Sequence, residues 1–184
     1  MKRFLLISAI GLLFAYKSFS QTIPFGNSQD SVSVFINDSW GSLINSFQLY
    51  YHKPINYDSA SSPIIIYIHG LGGSGASISD LTNIAEKHGA LLIGPTMDQY
   101  NNWPYAYNGG YDNNNCWHFY WYDILLKQIY KHILFRENRI SIPTYLTGFS
   151  AGGQFVARYM LLRQSIRDSI PIKMAISLNP YFYT

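Results

Sequence analysis

The feature that most constrains this chain is the run Pro63-Ile64-Ile65-Ile66-Tyr67-Ile68, apolar almost without a break and followed at once by His69-Gly70-Leu71-Gly72-Gly73-Ser74-Gly75. A strand with one face in water alternates apolar and polar residues, whereas a strand buried on both faces reads as a continuous apolar run. Two-sided burial needs helices on both sides, so this run predicts the centre of a mostly parallel sheet in an α/β fold.

The flanking patterns agree with that frame. Upstream, Ser31 to Ile36 alternates and Ser46 to Tyr51 is extended and aromatic-rich, which predicts two antiparallel strands joined at Asp38 to Gly41. Downstream, Ile78, Leu81, Ile84 and Ala85 fall at helical spacing between Ser77, read as an N-cap, and Gly89, suited to a C-terminal cap. A strand follows at Ala90 to Gly94, and then a long helix carrying Trp117, Trp121, Ile124, Leu125, Ile129 and Ile133 at three- to four-residue intervals. Pro143 to Phe149, Ala151 to Gln164 and Ile172 to Leu178 continue as strand, helix, strand. Such alternation specifies parallel strands wrapped by helices on both faces.

Residues 1–20 are set apart. Met1-Lys2-Arg3 precedes an apolar stretch from Phe4 to Ala15 and then small and polar residues to Ser20, the layout of a secretory signal peptide cleaved near Ser20 or Gln21. The apolar stretch is about a dozen residues, short of the roughly 20 that a spanning helix needs. A secreted or periplasmic protein, without stable membrane insertion after cleavage, is expected, with residues 21–184 as one domain. The lone cysteine, Cys116, allows no internal disulfide, so the fold has to rest on its core. A formal net charge of +3 without any long basic run argues against nucleic acid as a partner.

The chemistry is concentrated in Gly148-Phe149-Ser150-Ala151-Gly152. This stretch lies between an apolar strand and an amphipathic helix, where a sharp turn flanked by small residues lifts a serine hydroxyl above the sheet edge. The helix that follows directs its positive end and free N–H groups to the place where an oxyanion forms, with the Ala151 N–H the first such donor. The glycine-rich turn after Ile68 leaves a strand at the same rim of a parallel sheet, so it can face the same cleft and supply a second donor. A phosphate-binding loop would need lysine and then serine or threonine after its glycines, and no lysine follows them. The plain alternative is that Ser150 only caps a helix.

Ile66-Tyr67-Ile68-His69-Gly70-Leu71-Gly72-Gly73 and Thr147-Gly148-Phe149-Ser150-Ala151-Gly152-Gly153-Gln154-Phe155 together resemble the α/β-hydrolase family over roughly residues 60 to 180. Within it, the secreted poly(3-hydroxybutyrate) depolymerase-like and feruloyl-esterase-like members are the most similar in these motifs. The resemblance implies a mostly parallel sheet of about eight strands, the second antiparallel. It also implies Ser150 as nucleophile and the backbone N–H groups of Leu71 and Ala151 as the oxyanion hole, with His69, Gly70, Gly72, Gly148 and Gly152 as supporting residues.

A serine hydroxyl needs a base within hydrogen-bond reach and an acid that orients the base. In α/β-hydrolases both follow the nucleophile in the chain. After Ser150 there is no histidine, and Asp168, the one acid, precedes the last strand and reads as a surface charge. Of the earlier histidines, His69 and His118 border the active rim, while His52, His88 and His132 are placed elsewhere. The domain is therefore expected to be incomplete, truncated after about the sixth strand, with an exposed edge strand able to self-associate. An aromatic stretch with Tyr100, Trp103, Tyr105 and Trp117 is expected over the cleft, where flat rings suit sugars, hydroxycinnamoyl groups or polyester chains. Asp112 and the asparagines after it fit turn chemistry better than a cation site. No metal or cofactor enters this chemistry. The function that follows is hydrolysis of polyester, feruloyl or acetyl esters through an acyl-enzyme at Ser150, impaired in this chain. The competing readings are a catalytically dead domain that binds carbohydrate or polymer, and a serine peptidase of the prolyl-oligopeptidase type.

Overall fold

The computed structural model describes residues 22–38, 41–97, 120–163 and 169–179. Residues 1–20, read above as a signal peptide, the aromatic residues Tyr100, Trp103, Tyr105 and Trp117, and His118, Cys116, Asp112 and Asp168 lie outside them.

Six strands form one sheet in the order β1-β2-β4-β3-β5-β6. β1 (Gly26–Asp38) and β2 (Gly41–Lys53) pair antiparallel along their length, from Gly26 opposite Lys53 to Asp38 opposite Gly41. β2 runs antiparallel to β4 (Leu91–Pro95), and β4, β3 (Ile64–Ile68), β5 (Thr144–Phe149) and β6 (Ile172–Leu178) are mutually parallel. The apolar run that opened the sequence reading is thus an interior strand, flanked on both sides.

Its two faces go to different layers. Ile64, Ile66 and Ile68 join the main core with Leu125, Ile129 and Ile133 of α2 (Tyr120–Arg136) and Phe155, Val156 and Tyr159 of α3 (Ala151–Leu162). On the opposite face Tyr67 packs with Leu92, Ile78 and Ala85. Ile78 comes from a 3-10 helix, Gly75–Leu81, and Ala85 from α1, Thr82–His88. Burial of both faces is what the unbroken apolar pattern requires.

One local expectation changes. Ser77 is not an N-cap but lies within the 3-10 helix, its N–H donating to Ser74 O at 3.0 Å. Small and serine-rich residues hold an α-helix poorly because their hydroxyls compete for the backbone, and the tighter turn wins over a short span. Gly89 does end α1 in the left-handed conformation, with φ 59°. Among the described residues no helix is long and apolar enough to cross a membrane.

Candidate active site

β5 delivers the chain to Ser150 and α3 takes it away. Ser150 has φ 53° and ψ −116°, a conformation that L residues rarely adopt. It costs about 1–3 kcal/mol and persists only where the surroundings enforce it. They do so here by two backbone bonds: Ser150 N–H donates to Leu178 O at 2.8 Å, and Gln154 N–H donates to Ser150 O at 3.0 Å. The hydroxyl makes no capping bond to α3. A serine spent on capping would hold extended backbone and bond into the first turn, so the plain capping alternative does not describe this residue.

Close approach explains the glycines. A Cβ at Gly148 would stand 2.3 Å from Gly152 O, and one at Gly152 would stand 2.1 Å from Ile68 O and 2.6 Å from His69 O. The elbow therefore packs its backbone directly on the end of β3. A third glycine, Gly153, belongs to the same packing, because a Cβ there would stand 2.7 Å from Leu178 O. Its signal in the sequence was the doubled Gly152-Gly153, which the elbow pattern alone does not demand.

The glycine-rich segment after Ile68 forms a tight turn, with Gly73 N–H donating to Gly70 O at 3.0 Å. Only Gly72 in it has positive φ, 76°, which makes this a type II turn with Leu71 at its exposed apex. A Cβ at Gly70 would lie 3.5 Å from Ser150 Cβ. The two motifs, about 80 residues apart in sequence, are thus adjacent at one rim of the sheet.

His69 is 1% exposed. Its Nδ1 is 2.7 Å from Gly70 O, and its Nε2 is 2.9 Å from Met97 N. An amide N–H can only donate, so Nε2 accepts and the ring proton sits on Nδ1. Burial holds this imidazole below the usual histidine range, against the opposing pull of the Gly70 carbonyl. A ring so committed has no lone pair left for the serine, which removes His69 as the base. His52 contacts Asn27 and Glu86 from β2 at 2.7 and 2.8 Å. His132 meets Asp30 at 3.1 Å, and His88 ends α1 in an exposed position. Among the described residues no histidine or carboxylate hydrogen-bonds the Ser150 hydroxyl.

The fold as a whole has counterparts among solved structures. The poly(3-hydroxybutyrate) depolymerase from Bordetella parapertussis superposes with a TM-score of 0.66 at 25% identity, over 88% of this chain and 54% of its own. This chain has the α/β-hydrolase fold. Poly(aspartic acid) hydrolase-1 from Sphingomonas sp. KT-1 shares that fold with a TM-score of 0.59 at 20% identity, over 88% of this chain and 59% of its own. A bacterial heroin esterase does so with a TM-score of 0.54 at 17% identity, over 86% and 47%. The chain spans about half the length of these α/β-hydrolases. No family model matches the sequence, and no curated protein does.

Proposed function

We propose that this chain carries the nucleophile half of a serine hydrolase that cleaves carboxylic esters through an acyl-enzyme at Ser150. The single observation that carries the reading is the strained, uncapped Ser150 set beside the Gly70–Gly73 turn. In this reading the Leu71 and Ala151 N–H groups receive the oxyanion, one from the turn and one from the first turn of α3. The base and acid that this reading requires lie outside the described residues. The likeness to a poly(3-hydroxybutyrate) depolymerase supports a polyester, or a related feruloyl or acetyl ester, as substrate. Export by a signal peptide within residues 1–20 belongs to the same reading.

A fluorophosphonate probe tests it, since phosphonylation needs a serine hydroxyl activated by a base and faced by oxyanion donors but no particular acyl group. The expected result is labelling that maps to Ser150 and disappears in Ser150→Ala. Absence of labelling together with retained binding to polysaccharide or polyester would point instead to a dead binding domain. Ser150-dependent hydrolysis of p-nitrophenyl acetate by a monomer of this chain would show that the base and acid lie within it.

A further inference from the structure

Two glycines open α3, and each meets a different strand. Gly152 lies against the end of β3, whereas a Cβ at Gly153 would stand 2.7 Å from Leu178 O and 3.2 Å from Ser177 Oγ, both at the end of β6. Two hydrogen bonds cross this second contact. Ser150 N–H donates to Leu178 O at 2.8 Å, and the Ser177 hydroxyl donates to Gly153 O at 2.8 Å. The first continues the ladder in which Phe149 pairs with Leu178, while the second leaves the sheet for the helix layer. Ser177 is the one polar residue between Met174 and Leu178. Directly after Leu178 the chain turns away at Asn179, with φ 42°, and among the described residues β6 is the end strand of the sheet. The carbonyl that holds Ser150 therefore sits at the last residue of an end strand, the kind of place where a sheet frays most easily.

We propose that Ser177 is a positioning residue for the nucleophile, its hydroxyl locking the first turn of α3 to β6 so that Leu178 O stays in place to hold Ser150 in its strained conformation. The proposal rests on the esterase reading above. Its physical basis is that a strained residue persists only where its surroundings over-determine it. On the β3 side the elbow is confined by backbone packing against Gly152. On the β6 side the confinement acts through Leu178 O, which is only as well placed as its strand end. The Ser177 bond ties that strand end to the helix that starts at the elbow. Without it, β6 and α3 can part, the Ser150 N–H loses its acceptor, and the serine relaxes away from the oxyanion donors. A serine that did no more than satisfy its own hydroxyl would affect global stability and leave the setting of Ser150 unchanged.

Hydrogen exchange at the Ser150 and Leu146 amides and the rate of Ser150 labelling by a fluorophosphonate separate these cases. Both are measured on the full 184-residue chain, on Ser177→Ala and on Ser177→Thr, which keeps the hydroxyl. In Ser177→Ala, exchange at Ser150 should accelerate about tenfold, as expected for the loss of one hydrogen bond, while Leu146 within β5 keeps the parental rate. Labelling should slow by about tenfold, and Ser177→Thr should restore both. A folded Ser177→Ala chain with parental exchange at Ser150, or with parental labelling, overturns the proposal. Equal acceleration at Ser150 and Leu146 overturns it too, because that is the signature of a purely global loss of stability. If Ser177→Ala does not fold, Ser177→Cys, whose thiol is a weak donor, is read by the same criteria. A parental chain that never labels counts against the esterase reading instead, and exchange at Ser150 then decides the lock alone.

Discussion

Three non-glycine residues among those described hold positive φ: Asn138, Ser150 and Asn179. Asparagine tolerates that region because its short amide bonds locally. Serine has no comparable compensation, so its strain is sustained by the contacts of Gly148, Gly152 and Leu178 around it. Replacing Ser150 by glycine should therefore abolish labelling and yet raise stability by about 1 kcal/mol in urea unfolding, since glycine enters this conformation freely. A destabilised Ser150→Gly chain would mean that the elbow is not strained. At this scale the sequence was legible where the cause was local. Ser150, Gly148 and Gly152 declare themselves because a sharp turn needs small residues within two positions of its apex. The contact of the His69 ring with Met97 was not legible, since Met97 lies 28 residues away and contributes only its backbone.

At the scale of elements, the N-terminal segment before β1 is fastened by a buried pair. Lys53 Nζ donates to Glu137 Oε2 at 2.8 Å and to Ile23 O at 3.0 Å, while Ile23 N–H donates to Glu137 Oε1 at 3.2 Å. Two side chains thus satisfy both backbone groups of Ile23, as a neighbouring strand would. Lys53 also lies over the Tyr57 ring at 4.6 Å, and burial together with the nearby Glu137 carboxylate pushes the Tyr57 phenol up to about 12. Glu137→Gln leaves a buried ammonium without its counter-charge and should cost about 3 kcal/mol in urea unfolding. The double variant Lys53→Met with Glu137→Leu should regain only part of this, because the buried Ile23 N–H and carbonyl then go unpaired at about 1–3 kcal/mol. A double variant as stable as the parent would refute the backbone-pairing account. From β3 onward the strands and helices were read from periodicity with boundaries close to those observed, whereas β1 and β2, read as Ser31 to Ile36 and Ser46 to Tyr51, are each 13 residues long. Ser77 was misread because a serine before an apolar repeat looks the same whether the next turn is α or 3-10.

At the scale of the whole molecule the two layers are unequal. α2 and α3 cover one face, whereas on the α1 face Tyr145, Phe149, Met174, Ile176 and Leu178 are between 38% and 54% exposed. Of these, Tyr145, Met174, Ile176 and Leu178 line a groove of about 490 Å³ that continues to Ile65, Leu81 and Ile84. An apolar face beside a strand edge favours association, so the 184-residue chain by itself should sediment larger than a monomer. Ile176→Lys, at an exposed position, should shift it toward monomer without loss of melting temperature. A parent that sediments as a monomer would end this expectation.

The sequence by itself determined the fold class and the position of the elbow, because two-sided burial and a sharp glycine-flanked turn are written in periodicity and in neighbouring residues. That the glycine-rich turn shares a rim with Ser150 also followed from the parallel order, but only the tertiary structure decided how closely the two meet and that the His69 ring reaches Met97. The order β4-β3-β5 sets the ends of β3 and β5 side by side and β4 on the far side of β3, which brings the Gly70 turn to the serine and Met97 to the His69 ring. Those contacts join backbone groups across the sheet, and backbone groups are the same at every residue, so no pattern of side chains could have recorded them.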